Sequence, residues 1–138
     1  MTTKNSLLAV ENLRVDFYSR SQEKSFVAVE NVSFDIASGE ILGLVGESGC
    51  GKSLSALTLL DILPQSAVAS GFFEFDGEKY RFGSERIAAL RGCEIGMVFQ
   101  EPLTALNPVF SVRDQLYETL AHLLGIKDEN ELEKESRR

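Results

Sequence analysis

Eight consecutive residues, Gly46-Glu47-Ser48-Gly49-Cys50-Gly51-Lys52-Ser53, carry the chemistry that is easiest to name in this chain. They fit GxxxxGK[ST], the phosphate-binding P-loop. Glycines let successive backbone N–H groups turn inward toward phosphate oxygens, and the start of the following helix adds partial positive charge behind them. In such a loop Lys52 reaches the β- and γ-phosphates and the Ser53 hydroxyl ligates Mg²⁺. The implied ligand is a nucleoside triphosphate with its magnesium ion. The dinucleotide fingerprint GxGxxG does not occur around Gly46, Gly49 and Gly51. Cys50 reads as a small residue in a tight loop, with a redox switch as the alternative, because a helix N-terminus can lower a thiol pKa.

The flanks suit this chemistry. Ile41-Leu42-Gly43-Leu44-Val45 is a short apolar run and predicts a buried parallel strand. Leu54 to Leu63 predicts a helix stopped by Pro64. Upstream, Leu13, Val15 and Phe17 alternate with polar residues as in a half-buried strand, and Ser19 to Ser25 reads as a turn. Val27 and Val29, then Val32, Phe34 and Ile36, alternate again with a one-residue slip at Glu30-Asn31 that suits a bulge. An antiparallel pair leading into the Ala37-Ser38-Gly39 turn is expected. Gly71 to Phe82 predicts a hairpin about Asp76-Gly77, and Ser84 could cap a short helix through Leu90. Ile95 to Phe99 predicts a second buried strand. Val112, Leu116, Leu120 and Leu123 share one face of a helix that opens on Ser111 and ends at Gly125. Lys127 to Arg138 reads as a solvated helical stretch with Glu133 four residues before Arg137. No internal repeat and no low-complexity segment is expected.

The whole-chain numbers narrow the class. The 138 residues suffice for one ordinary core, and 43% apolar with 25% charged residues is normal for a soluble globular domain. No apolar run approaches the roughly 20 residues of a membrane span, and Leu7 to Val10 is too short for a signal-peptide core. A cytoplasmic location is expected. The net charge of −7 argues against nucleic acid as a partner, since phosphate backbones call for clustered Lys and Arg. Cys50 and Cys93 form no CxxC pair.

Many proteins carry a P-loop, and the rest of the chain chooses among them. Gly39-Glu40-Ile41-Leu42-Gly43-Leu44-Val45 running into the loop resembles the opening of an ABC-transporter ATPase domain. Met97-Val98-Phe99-Gln100-Glu101-Pro102 resembles that family's Q-loop. The continuation Leu103-Thr104-Ala105-Leu106-Asn107-Pro108-Val109-Phe110 is similar to the peptide/nickel import branch. The resemblance covers about Leu8 to Gly125. It implies an α/β P-loop NTPase fold of the ABC ATPase type. The pieces would be an N-terminal antiparallel β subdomain and P-loop core over residues 1–100, then the Q-loop exit and the beginning of a helical subdomain over 101–138. It also implies roles. Phe17, or Tyr18 in the neighbouring register, would stack on adenine. Lys52 and Gln100 would serve the reaction, with Gln100 touching Mg²⁺ and the attacking water. Glu101 to Phe110 would meet membrane-spanning permease subunits, and a second ATPase subunit would complete the site. The subunit would sit peripherally on the inner face of the membrane and energise uptake of oligopeptides, dipeptides or nickel.

The family pattern also has parts that these residues do not match. No Ser-Gly-Gly triplet of an LSGGQ-like signature occurs. Leu59-Leu60-Asp61 lies on the P-loop helix rather than on a Walker B strand. His122, mid-helix, reads as a surface or interface residue rather than the switch histidine. The chain resembles the first half of such a domain, and it is expected to bind MgATP without turning it over alone. The alternative is a small P-loop kinase or nucleotide-binding regulator, although Arg81, Arg86, Arg91 and Arg113 are too scattered to suggest an Arg-rich lid.

Overall fold

A computed structural model describes residues 6–18, 25–101 and 105–137. The chain divides into two compact units, Met1–Arg91 and Gly92–Arg138.

The first unit is built on a four-stranded antiparallel sheet of order β2-β1-β3-β4, with β1 at Ser6–Tyr18, β2 at Ser25–Ala37, β3 at Ala67–Phe75 and β4 at Glu78–Arg81. The expected alternation in β1 and β2 is present, and so is the bulge at Glu30-Asn31. It has a twin. Ala9-Val10-Glu11-Asn12 in β1 and Ala28-Val29-Glu30-Asn31 in β2 are the same four residues, a short repeat where none is expected. Asn12 and Asn31 both adopt φ 53°, a left-handed conformation that Asn tolerates better than most residues. The register shifts at both places. The bulges are tied down by side chains. Asn12 N–H donates to Ser33 Oγ at 2.9 Å, and Arg14 reaches Glu30 at 3.2 Å. Arg14 also grips Asp16 at 2.8 Å, and this hydrogen bond is the main reason its pKa is raised. On the other side of β1, Gly71 of β3 accommodates the Asn12 bulge. A Cβ there would stand 2.5 Å from the Asn12 carbonyl oxygen.

The β3–β4 hairpin turns at Asp76-Gly77 as expected, but β3 begins at Ala67, four residues before Gly71. The core lies on one sheet face. Leu13, Val15 and Phe73 are fully buried there, and the Phe73 ring stacks on Tyr80 and Phe82 with centroids 5.1 and 5.2 Å away. Helix α1 runs Lys52–Leu59, and a 3₁₀ turn at Glu85–Leu90 follows β4. Helix α1 starts two residues earlier and ends four residues sooner than the apolar pattern suggested. The chain leaves it through Asp61 at φ 51°, so Pro64 is not what stops it.

Two expected strands are not strands. Ile41 to Val45 has no regular secondary structure and pairs with no strand among the described residues, and Ile41 and Val45 are 96% and 94% exposed. A strand is defined by its ladder, and an apolar run without a partner cannot bury itself. Ile95 to Phe99 likewise forms no strand, and Val98 is exposed.

In the second unit, helix α2 at Val112–Leu124 is capped by Ser111, whose Oγ accepts from Asp114 N–H, and ends at Gly125 with φ 68°. Helix α3 at Glu129–Ser136 is capped by Asp128, and its Leu132 is buried. Arg137 bonds Glu133 at 2.7 Å, which holds that carboxyl below its ordinary pKa. His122 is exposed. Among the described residues no helix is long and apolar enough to cross a membrane.

Candidate functional site

The P-loop connects the unpaired segment 41–45 to α1. Its turn is at Ser48-Gly49, closed by Cys50 N–H donating to the Glu47 carbonyl at 3.3 Å. Gly51 forms the N-terminal boundary of α1 at φ 94°, and its backbone lies against β2. A Cβ at Gly51 would come within 2.7 Å of Val29 Cγ2 and 3.0 Å of the Ala28 carbonyl oxygen. Only glycine suits both the conformation and the contact. The sheet thereby fixes where the loop enters its helix.

Lys52 folds back over the loop. Its Nζ donates to the Gly46 carbonyl at 2.8 Å and the Glu47 carbonyl at 2.7 Å, with Cys50 Sγ at 3.5 Å. Ser53 is exposed on the first turn of α1. Ser55 is buried and donates its hydroxyl back to the Gly51 carbonyl at 3.1 Å, which ties the loop to the helix from inside.

Helix α1 begins differently from α2 and α3. Both of those have a side-chain cap and an acidic residue in the first turn. Helix α1 has neither. The first N–H groups of a helix need partners, and an uncapped start with no acidic residue in its first turn is a place for an anion. A polyphosphate fits this arrangement in sign and in donor chemistry, with Lys52 alongside.

Phe17 belongs to the same unit. It is half-buried at the end of β1 and stacks on Phe26, with centroids 5.2 Å apart and planes 6° from parallel. Tyr18 points the other way along the strand's alternation and is 54% exposed. Phe26 was not singled out from sequence. Its direct register partner Phe17 is the signal that would have found it.

Gln100 belongs to the second unit. It is exposed and lines a shallow groove with Phe99, Glu101 and Ala105. Of the stretch 101–110, Pro102, Leu103 and Thr104 lie outside the described residues. Its last turn, Asn107 to Phe110, is pinned by Gln115, which no local sequence signal singles out. Its Nε2 donates to the carbonyls of Asn107 and Phe110, both at 3.1 Å, and its Oε1 accepts from Asn107 N–H at 2.9 Å.

A sequence profile described as "ABC transporter" matches residues 29–138. The chain belongs to the ABC transporter family. Among curated relatives, the uncharacterized ABC transporter ATP-binding protein YejF of Escherichia coli K12 is 44% identical over 127 residues, 90% of this chain and 24% of its own length. The peptidoglycan transport ATP-binding protein YejF of Agrobacterium fabrum is 43% identical over 86% of this chain and 22% of its own. The dipeptide transport ATP-binding protein DppD of Bacillus subtilis is 40% identical over 83% of this chain and 34% of its own. The chain thus spans between 22% and 34% of the length of these relatives. Membership implies a P-loop NTPase domain and nucleotide binding. It does not favour the kinase alternative.

Proposed function

We propose that this ABC-family chain binds ATP with Mg²⁺ at the Gly46–Ser53 loop, as part of the ATPase subunit of an importer of peptides or peptide-like solutes. The observation that carries the reading is the uncapped, acid-free start of α1 with Lys52 folded over it. Backbone N–H groups of Gly49, Cys50, Gly51 and Lys52 would hold the β-phosphate region. Lys52 would exchange its own loop's carbonyls for γ-phosphate oxygens. Ser53 would present its hydroxyl to the metal, and Glu47 and Ser48 would shape the loop's mouth. Mg²⁺, when bound, supplies neutralisation of the phosphate charge that develops in phosphoryl transfer.

In the same reading Gln100 would serve Mg²⁺ and the attacking water, and Glu101 to Phe110 would meet permease subunits. A second ATPase subunit supplies the facing half of the site at the inner face of the membrane. Functionally, the division falls between residues 1–100 and 101–138. The peptide-like solute class follows the relatives named for dipeptide and peptidoglycan transport. The 138 residues alone bind nucleotide without steady turnover.

The test is a titration of fluorescent MgATP against the chain and its Lys52→Ala variant. Removing a charged hydrogen-bond donor costs about 1.5–3 kcal/mol, so affinity should fall by roughly tenfold or more. Equal affinity in the two proteins would overturn the assignment.

A further inference from the structure

Helix α1 buries hydroxyls where a helix ordinarily buries apolar side chains. Gly51, Ser55 and Thr58 form its inward stripe at i, i+4 and i+7, while Leu54 and Leu57 beside it stay partly exposed. Ser55 and Thr58 are 5% and 1% exposed. Both hydroxyls bond back one turn, Ser55 Oγ to the Gly51 carbonyl at 3.1 Å and Thr58 Oγ1 to the Leu54 carbonyl at 2.6 Å. Such a bond satisfies a buried hydroxyl but slightly weakens the helix that carries it. Helix stability therefore does not account for the pair.

The two bonds differ in what lies across the accepting peptide. In a trans peptide the C=O and the following N–H point in opposite directions, so a bond that fixes one aims the other. The Leu54 carbonyl shares its peptide with Ser55 N–H, which already donates to the Gly51 carbonyl at 2.9 Å. The Gly51 carbonyl shares its peptide with Lys52 N–H. Lys52 is the first residue of α1, so that N–H is among those a helix leaves without an intrahelical partner. Gly51, at φ 94° and without a Cβ, puts little restraint on the rotation of this peptide. The restraint comes from Ser55, whose backbone N–H and hydroxyl both donate to the one carbonyl, at 2.9 and 3.1 Å.

We infer that Ser55 is a positioning residue for phosphate. By holding the Gly51 carbonyl along the helix, it aims the Lys52 N–H out of the helix start toward the phosphate that the loop takes. The inference rests on the P-loop reading above. It gives the hydroxyl no contact with the nucleotide, because Ser55 is buried and acts through the Gly51–Lys52 peptide. The effect belongs to the phosphates, so a ligand without a base should feel it as strongly as MgATP does.

The experiment compares the full chain with Ser55→Ala, Ser55→Thr, Thr58→Val and Lys52→Ala variants, each titrated with MgATP and with magnesium tripolyphosphate, which has no base. Thermal melts and amide NMR spectra accompany the titrations. Ser55→Ala leaves the Gly51 carbonyl with one donor, so the expected result is a roughly three- to tenfold loss of affinity for both ligands. Its melting temperature should stay close to the parent's, and the downfield shift of the Lys52 amide proton on ligand binding should shrink. Ser55→Thr keeps the hydroxyl and should bind as the parent does. Thr58→Val removes the equivalent bond one turn further on and should leave affinity and the Lys52 shift unchanged. Parent-like affinity in Ser55→Ala would overturn the inference. So would equal losses in Ser55→Ala and Thr58→Val, which would mark both hydroxyls as parts of the fold, or a loss in Ser55→Thr as large as in Ser55→Ala. Failure of the P-loop reading looks different: Lys52→Ala would bind both ligands as tightly as the parent, and the inference would fall with it.

Discussion

Leu13, Val15 and Phe73 are fully buried in the antiparallel sheet, whereas Ile41 and Val45, equally apolar and immediately upstream of the P-loop, are almost fully exposed. Both stretches are sequences that favour strands. The difference lies in where their partners come from. β1 meets β2 and β3 meets β4 close along the chain, and the two pairs then join antiparallel through β1 and β3, so no strand lacks a neighbour. A parallel strand needs a crossover of a dozen or more residues to reach its neighbour. No described residue supplies one to the segment 41–45. The four strands of the sheet pair among themselves, and the approach to the loop is left without a ladder among the described residues.

The largest effect that would break this comparison is in the sheet. Phe73→Ala removes the middle ring of a three-ring stack and should cost about 3–5 kcal/mol, read as a lower urea midpoint or melting temperature. A loss under 1 kcal/mol would mean that the sheet is not the core of the first unit. At the junction, Gly51→Ala puts a Cβ at φ 94° against Val29 and the Ala28 carbonyl. It should cost about 1–3 kcal/mol and weaken MgATP binding as well, because the loop must shift off β2. Smallest in stability is the double change Ile41→Ser and Val45→Ser, expected within about 0.5 kcal/mol of the parent. The same double variant should scatter less light on concentration, since an apolar stretch with an open edge invites association. A clear destabilisation instead would show that the segment is packed, and the contrast would fall.

These two regions also show what could be read from residues alone. Alternation in β1 and β2, the Asp76-Gly77 turn and the Ser111 and Gly125 boundaries are local signals, and the structure has all of them. The P-loop was legible because its spacing is itself the mechanism. The strands at 41–45 and 95–99 were misjudged because apolar content says that a segment wants burial, not that a partner exists. The early end of α1 turned on Asp61 adopting a left-handed backbone, which no periodicity announces. Phe26 and Gln115 were missed for a shared reason. Each matters through a residue on another element, Phe17 in one case and the Asn107–Phe110 loop in the other. The repeat at residues 9–12 and 28–31 is written in the sequence, but four residues are too few to announce a bulge without the strand pairing that makes each Asn one.

The twin bulges have a consequence for how the hairpin assembles. In a uniform strand pair, sliding by two residues keeps every side chain on its proper face and costs little more than frayed ends. Here Asn12 must find Ser33 at the same alignment that brings Arg14 to Glu30. A slid pairing forfeits both contacts and leaves two left-handed residues facing regular backbone. The two Asn residues act like the wards of a key. They admit one alignment of β1 with β2, and that alignment delivers Val29 to the place where Gly51 of the phosphate loop comes to rest.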